Sequence, residues 1–440
     1  MTDVNPLLAP WTTPFGVPPF DRIRPEHFAG AFEYAMREHL QEIAAIGADP
    51  AEPGFANTVE AMQRSGRLLA RIGMAFSNLV VSLGGDALQA VDTEMSPKLA
   101  QHGTQVSLDP ALFARVDALH RRRDELGLAE DQQRLLERVH LGMVRSGAAL
   151  AQDERARMAA ISERLAVLHT QFGQNVLHDE KAWHLPLAEA DLDGLPGFVR
   201  ETARQAAAER GVPGYAVTLS RSLIEPFLTF SARRDLRQTA YAAWIARGAQ
   251  AGAHDNRALI PEILALRAER ARLLGYPSFA AFRLADSMAG TPEAVEGLLA
   301  EVWEPAKRKA AAERDRLLAV ARGEGFNGAL APWDWRYYAE KVRCADYAID
   351  AGELKPYFVL ENIEQAAFDT AARLFGLSFT LRPDVAPYHP DVRAYEVRDA
   401  AGHVGLFLAD PFARADKRSG AWMRSYGGKR EGGTILLHPH

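Results

Sequence analysis

The chain has 440 residues, of which 48% are hydrophobic and 25% charged, and its formal net charge is −6 at pH 7. This composition is typical of a globular protein large enough for more than one core, and so small a negative charge gives no support to a nucleic-acid or anionic-membrane partner. The single cysteine, Cys344, excludes an internal disulfide, and no apolar run approaches the ~20 residues that span a bilayer. The first residues lack the basic and apolar regions of a signal peptide, so we expect a cytoplasmic protein.

Helical patterns dominate the first 180 residues. The opening is rich in proline, which predicts an extended segment, and Pro25 fits the first turn of a helix that follows. The clearest pattern predicts one long helix from about Asp153 to His178. Its apolar residues recur at helical spacing: Met158, Ile161, Leu165, Leu168, Phe172 and Val176.

The second half of the chain mixes helices with short strands. Residues 183–187 and 215–219 read as strands. Thr291 followed by Pro292 is a strong helix start, and that helix should run to about Ala321 with a kink at Pro305. Further strands are predicted near the carboxyl end, at 377–381, 393–398 and 403–408, with a hairpin turn at 399–402. The predicted fold is therefore mainly α with a small antiparallel β element near the carboxyl end.

A zinc peptidase needs two histidines one helical turn apart with a glutamate after the first, the pattern His-Glu-x-x-His. None of the 13 histidines is followed by glutamate. His178 and His184 lie six residues apart and do not share a helical face, so we interpret them as solvated or core-edge side chains. His438 and His440 belong to a frayed terminus. Cys344 is interpreted as a structural cysteine on a helix.

Aromatic residues are densest at 333–338, WDWRYY. Two interpretations stay open for this segment. It can be the start of a helix with a packed aromatic face, in which Asp334 stabilises the amino end. Alternatively, one of its tyrosines or arginines lines a substrate channel.

Several motifs spread over the chain resemble the peptidyl-dipeptidase (Dcp) group of the thimet-oligopeptidase family of zinc metallopeptidases. They run from the opening to residue 422, nearly the whole chain, and only together are they specific. The motifs are NPLL at 5–8, PEHF at 25–28, LGYPS at 274–278, RLADSM at 283–288, WDWRYY at 333–338, LKPYF at 354–358, DPFAR at 410–414 and KRSGAW at 417–422.

The resemblance implies a mostly helical, two-lobed clamshell around a deep channel. It also implies a cytoplasmic zinc peptidase that acts on short peptides and removes dipeptides from their carboxyl end. In such enzymes zinc activates a water molecule and a glutamate accepts its proton. On this basis residues 1–180 form an amino-terminal helical region and residues 181–440 the start of the peptidase domain.

The chain departs from the family at its end. The resemblance places the zinc motif, the further ligand and the other catalytic residues beyond residue 440, and the tail at 434–440 no longer looks like the family. We therefore expect a truncated or frameshifted product without catalytic or metal residues, inactive alone, with apolar surface exposed on residues 225–435. The resemblance carries over only a substrate-cleft segment: Lys417, Arg418, Gly420, Ala421 and Trp422.

Two other interpretations compete with an incomplete peptidase. The chain could be a non-catalytic helical protein that binds peptides or partners, or a fragment without function. Peptide binding without hydrolysis would favour the former.

Overall fold

The computed structural model describes residues 5–348, 351–414, 416–418, 420–427 and 435–439. The protein is mostly helical with two small sheets, which confirms the mainly-α prediction. None of the helices that the structure describes is both long and apolar enough to cross a bilayer. The tail residues 428–434 and His440, on which part of the truncation hypothesis depends, lie outside the described residues.

The chain divides into two compact units, each assembled from separate stretches of sequence. The first unit comprises residues 1–172, 259–282 and 377–440, and the second comprises residues 173–258 and 283–376. The predicted division into 1–180 and 181–440 stays a prediction.

The first unit contains most of the amino-terminal helices. Its main core joins aromatic side chains of two helices, Phe28, Phe32 and Phe76, to Leu406 and Leu408 of the sheet. The helices are α1 Glu26–Gly47, α2 Ala61–Arg64, α3 Arg67–Ser82, α4 Asp86–Ser107, α5 Pro110–Arg121, α6 Glu130–Ser146, α7 Gln152–Ala182, which continues into the second unit, and α11 Leu259–Leu273.

The larger sheet also lies in the first unit and has the strand order β3-β4-β5-β7-β6. The predicted hairpin is confirmed, because Asp399 pairs with Gly402 and its Oδ1 accepts hydrogen bonds from two amides of the turn. All neighbouring strands are antiparallel except β5 and β7. The strands are β3 Ser378–Leu381, β4 Arg393–Asp399, β5 Gly402–Ala409, β6 Met423–Gly427 and β7 Ile435–Pro439.

The second unit is built around the predicted strand pair, β1 His184–Leu187 and β2 Tyr215–Thr218. The predicted helix start at Thr291 is confirmed, since its side chain accepts a hydrogen bond from the Ala294 amide at 3.2 Å, and the helix continues through Pro305. The helices of this unit are α8 Gly197–Glu209, α9 Arg221–Phe230, α10 Arg234–Ile245, α13 Pro292–Gly323, α14 Pro332–Tyr347, α15 Ala351–Leu354 and α16 Leu360–Phe375; the short α12, Phe279–Leu284, crosses between units.

Candidate functional site

The predicted cleft segment lies in the irregular stretch between β5 and β6, and it is organised around a buried carboxylate. Asp410 directly follows β5 and is 2% exposed. It accepts a hydrogen bond from the Tyr388 hydroxyl at 2.7 Å and two from the guanidinium of Arg414 at 2.7 and 2.5 Å. Lys417 Nζ lies 3.0 Å from its Oδ1. We call these four residues the Asp410 cluster.

The charges of the Asp410 cluster fix its protonation states. Burial by itself would raise the pKa of Asp410, but hydrogen bonds from Arg414, Tyr388 and Lys417 outweigh burial and lower this pKa to about 2. Burial raises the pKa of Tyr388 strongly, with the charge of Asp410 adding to the effect. The aspartate is therefore ionised and the tyrosine neutral over the whole neutral pH range.

The ammonium group of Lys417, one of the predicted cleft residues, makes its hydrogen bonds to other groups of the protein. The group donates to the carbonyl oxygens of Asp410 at 2.6 Å and Phe412 at 2.8 Å, besides its ion pair with the Asp410 carboxylate. An ammonium group has three hydrogens to donate, and three oxygens surround this one. Its side chain is 7% exposed. The structure thus gives Lys417 a role in holding the segment in place.

The cleft segment is also attached to the carboxyl end of α3. Arg414 donates to the Ser82 carbonyl at 3.0 Å, and the backbone amide of Arg418 donates to the Val81 carbonyl at 2.9 Å. Gly84 has a φ of +58°, and a Cβ there would lie 2.2 Å from the Asp416 carbonyl oxygen. Close backbone approach and positive φ both require glycine at this position.

The other predicted cleft residues lie at the surface. The Arg418 side chain, Gly420 and Ala421 are exposed, whereas Trp422 is half-buried with its ring centroid 5.9 Å from Lys417 Nζ. The structure therefore brings Lys417 and Trp422 together and leaves the three residues at 418, 420 and 421 accessible.

Sequence reasoning missed Asp410, Arg414 and Tyr388 as members of this site. The DPFAR motif contained the first two, whose opposite charges four residues apart were a usable signal. Tyr388 lies 22 residues before Asp410, and no local pattern connects the two.

The aromatic segment at 333–338 forms the start of α14. Asp334 is fully buried, accepts a hydrogen bond from the Ala331 amide at 2.9 Å and pairs with Arg234 and Arg237. Tyr338 packs in a cluster with Leu317 and Ala321 of α13. These contacts agree with the interpretation of the segment as the start of a packed helix. The alternative, that a side chain of this segment lines a substrate channel, stays a prediction.

The histidines singled out from the sequence make ordinary contacts. The ring of His178 stacks on that of His254, with centroids 3.6 Å apart, and His184 pairs with Thr218 across β1 and β2. His438, of which only the backbone is described, lies in β7 and pairs with Arg424 of β6, so the prediction of a frayed terminus is wrong at this residue. Cys344 lies exposed on α14.

The zinc ion that the resemblance implies requires a particular set of ligands. A protein zinc site needs at least three histidine, cysteine, aspartate or glutamate ligands in reach of one ion. No such group of three exists among the described residues. The described part of the chain therefore does not fit a zinc ion.

Comparison with known proteins agrees with the resemblance. Residues 227–438 match the sequence model of Peptidase family M3. Curated relatives align over nearly the whole chain. The chain is thus similar to peptidase family M3.

Individual relatives are similar to the chain to different degrees. The chain is 37% identical to the dipeptidyl carboxypeptidase of Salmonella typhimurium over 426 residues, which cover 96% of this chain and 63% of the relative. It is 31% identical to oligopeptidase A of Escherichia coli, covering 95% and 62% of the two chains. The probable cytosolic oligopeptidase A of Arabidopsis thaliana is 30% identical, with 95% and 61% covered. The chain thus spans somewhat less than two thirds of the length of these relatives.

Proposed function

We propose that this chain forms part of a zinc peptidase that hydrolyses short peptides and releases dipeptides from their carboxyl end. The observation that carries the proposal is the 37% identity, over 96% of the chain, to a protein named dipeptidyl carboxypeptidase. The identity is higher than to the relatives named oligopeptidase A, and this supports dipeptide release.

The second part of the proposal is that this chain alone does not catalyse the reaction. Hydrolysis by a zinc peptidase needs a metal to activate water and a general base beside it. The sequence has no histidine followed by glutamate, and the described residues contain no group of three metal ligands. Both observations support the proposal that the metal ligands and the general base are not among the residues of this chain.

The segment at 417–422 is proposed as the contribution of this chain to the peptide-binding surface. The Lys417 side chain attaches this segment to the carbonyl oxygens of Asp410 and Phe412, and the Arg418 amide attaches it to the Val81 carbonyl. Arg418, Gly420 and Ala421 are exposed. An exposed cation and a side-chain-poor stretch suit contact with a peptide carboxylate or backbone. Lys417 and Trp422 are less exposed than these residues and pack together beneath the surface.

The proposed compartment is the cytoplasm, and the proposed partners are short peptides. The single cysteine supports this compartment, because disulfides are common in secreted proteins of this size. The name of the Arabidopsis relative, a cytosolic oligopeptidase, supports it as well. A net charge of −6 supports no nucleic-acid or anionic-membrane partner.

The first experiment measures zinc content by mass spectrometry on the purified chain, together with hydrolysis of a short peptide blocked at its amino end. We expect less than one-tenth of an equivalent of zinc and no cleavage above the buffer rate. Stoichiometric zinc with release of dipeptides would refute the inactivity of the chain. Calorimetry with the same peptide separates the alternatives, because binding without cleavage would favour a non-catalytic peptide-binding protein.

A further inference from the structure

A groove in the first unit is lined by two helices, α4 and α7, and by the start of α5. Its volume is about 520 Å³, which lies within the range of small-molecule sites in proteins. The side chains along its two walls are Gln101, Thr104 and Gln105 from α4 and Arg155, Ala159 and Glu163 from α7. None of them belongs to the segment at 417–422 or to the match with the family at 227–438. The groove is therefore separate in sequence from the candidate site.

The charged residues of α7 that line the groove lack the ion pairs that others on this helix make. On the side that faces α11, Arg157 makes two hydrogen bonds to the Glu269 carboxylate, at 2.6 and 2.7 Å, and Arg164 binds Glu262 in the same way.

In the groove, neither Arg155 nor Glu163 makes an ion pair with any residue that the structure describes. The guanidinium of Arg155 donates one hydrogen bond, to the Ala148 carbonyl at 3.5 Å. Because a guanidinium has five N–H donors, most of its hydrogen-bonding capacity is open to a ligand.

The two charges lie at a defined spacing along the groove. Arg155, Ala159 and Glu163 follow one another at intervals of four residues, so they form one ridge of α7. At a rise of 1.5 Å per residue, the cation and the carboxylate are attached about 12 Å apart along the helix axis. The small side chain of Ala159 leaves the groove open between them.

The wall formed by α4 adds two amide side chains, Gln101 and Gln105, one helical turn apart. Each amide has donors and an acceptor, and neither side chain binds another described residue. Such groups suit the N–H and C=O groups of an extended peptide backbone. The remaining charged residue of the groove, Asp109, is the cap of α5 and accepts a hydrogen bond from the Leu112 amide at 2.7 Å.

We propose that this groove binds short peptides with free ends, the carboxylate on Arg155 and the ammonium group on Glu163. The charges select a dipolar ligand, because a dicarboxylate would place its second anion against Glu163 and a diamine its second cation against Arg155. An extended chain spans ~3.3–3.6 Å per residue, so about 12 Å corresponds to three or four residues. Arginine can bind a carboxylate through two parallel hydrogen bonds. The inference goes beyond the proposed function, because this binding does not require that the peptide be cleaved.

Isothermal titration calorimetry of the full chain with tetraalanine tests the proposal. Exposed charge pairs are individually weak, so we expect 1:1 binding with a Kd of about 0.1–1 mM. Tetraalanine amide lacks the carboxylate and N-acetyl-tetraalanine lacks the ammonium group, and each should bind at least about fivefold more weakly. A peptide blocked at its amino end, as used for the hydrolysis assay, is therefore a poor ligand of the groove, and the two experiments stay separate.

Variants of the two charged residues identify which end of the peptide each one binds. Arg155→Gln should weaken the binding of tetraalanine at least about fivefold and leave the affinity for the amide unchanged. Glu163→Gln should weaken tetraalanine equally and leave the affinity for the acetylated peptide unchanged. A purely structural role would not produce this dependence on the peptide ends. The matched control, Arg157→Gln, removes the same charge from another side of α7 and should change the affinity by less than twofold.

Three outcomes would overturn the proposal. The first is no saturable binding of tetraalanine up to about 10 mM, ten times the weakest expected Kd. The second is binding that Arg155→Gln and Glu163→Gln leave unchanged while circular dichroism shows intact helices. The third is binding that Arg418→Gln abolishes and the groove variants do not, which would place the peptide at 417–422 and support the proposed function instead. Binding that depends on both groove residues supports the inference whether or not the chain hydrolyses peptides.

Discussion

At the scale of single residues, Asp410 has the largest effect on the candidate site. Its carboxylate is fully buried and balances two cations, Arg414 and Lys417, that are themselves largely buried. Removing one member of a buried ion pair leaves the other charge uncompensated, which costs more than the pair itself contributes. The geometry of the segment at 417–422 therefore depends on a residue that is itself inaccessible to solvent.

Asp410→Asn should lower the free energy of unfolding by about 3–5 kcal/mol, as expected when a buried ion pair loses one partner. Urea denaturation followed by circular dichroism measures the change. The matched control is Asp384→Asn, which removes a half-exposed partner of Arg382 and should cost far less, because solvent screens a surface ion pair. Equal losses in the two variants would show that the cluster contributes no more than a surface ion pair.

At the scale of secondary-structure elements, two helices of the first unit meet through a pair of histidines. His39 of α1 and His102 of α4 approach with Nδ1 and Nε2 2.9 Å apart, and His39 also contacts the Ser65 hydroxyl. Burial lowers the pKa of both rings. The folded state thus binds protons less readily than the unfolded chain, whose histidines titrate near pH 6.5.

The sign of the pH dependence follows from these lowered pKa values. The pair contributes its full stability above about pH 6.5, and this contribution is lost as the pH falls below that value. His102→Gln removes one of the two groups, so the variant should lose less stability than the wild type between pH 7.5 and pH 5.5. Thermal unfolding at the two pH values measures the difference. An equal or greater loss in the variant would contradict the assignment.

The success of sequence reasoning at this scale depended on how local the signal was. The cap at Thr291 and the hairpin at 399–402 were predicted because the deciding contacts lie within a few residues. Strands β6 and β7 were missed, because β7 pairs in parallel with β5, about 30 residues earlier in the chain. Such a pairing is selected by tertiary packing and has no local pattern.

For the candidate site, too, the sequence predicted a local segment but not the contacts that distant residues make with it. The motif at 417–422 identified a segment, and the structure shows which of its residues are accessible. The role of Lys417 could not be read from its sequence neighbours, because it depends on a carboxylate and two carbonyl oxygens that the loop brings together. Tyr388 reaches Asp410 from a separate loop.

At the scale of the whole molecule, the exposed apolar residues are distributed unevenly along the chain. Before residue 225 only Tyr34 and Phe172 are large, apolar and exposed among the described residues, whereas α13 and α16 expose most of their apolar side chains. Exposed faces of this size favour association.

The isolated chain should therefore self-associate. Light scattering during size-exclusion chromatography should show a mass that rises with protein concentration between roughly 1 and 100 μM, the range in which weak apolar contacts form. Leu299→Glu should reduce this rise, and Ala300→Glu should not. A concentration-independent monomer of 48.3 kDa that unfolds cooperatively would contradict the expectation.

The enclosure of Lys417 has a consequence for chemical labelling. Three oxygens surround its ammonium group, so an amine-reactive reagent can modify this lysine only when the loop opens, whereas Lys309 on α13 is 74% exposed and reacts at once. The ratio of the two labelling rates would measure the opening equilibrium of the loop in the intact protein. The labelling rate of Lys417 thus measures how often the proposed peptide-binding segment unfolds locally.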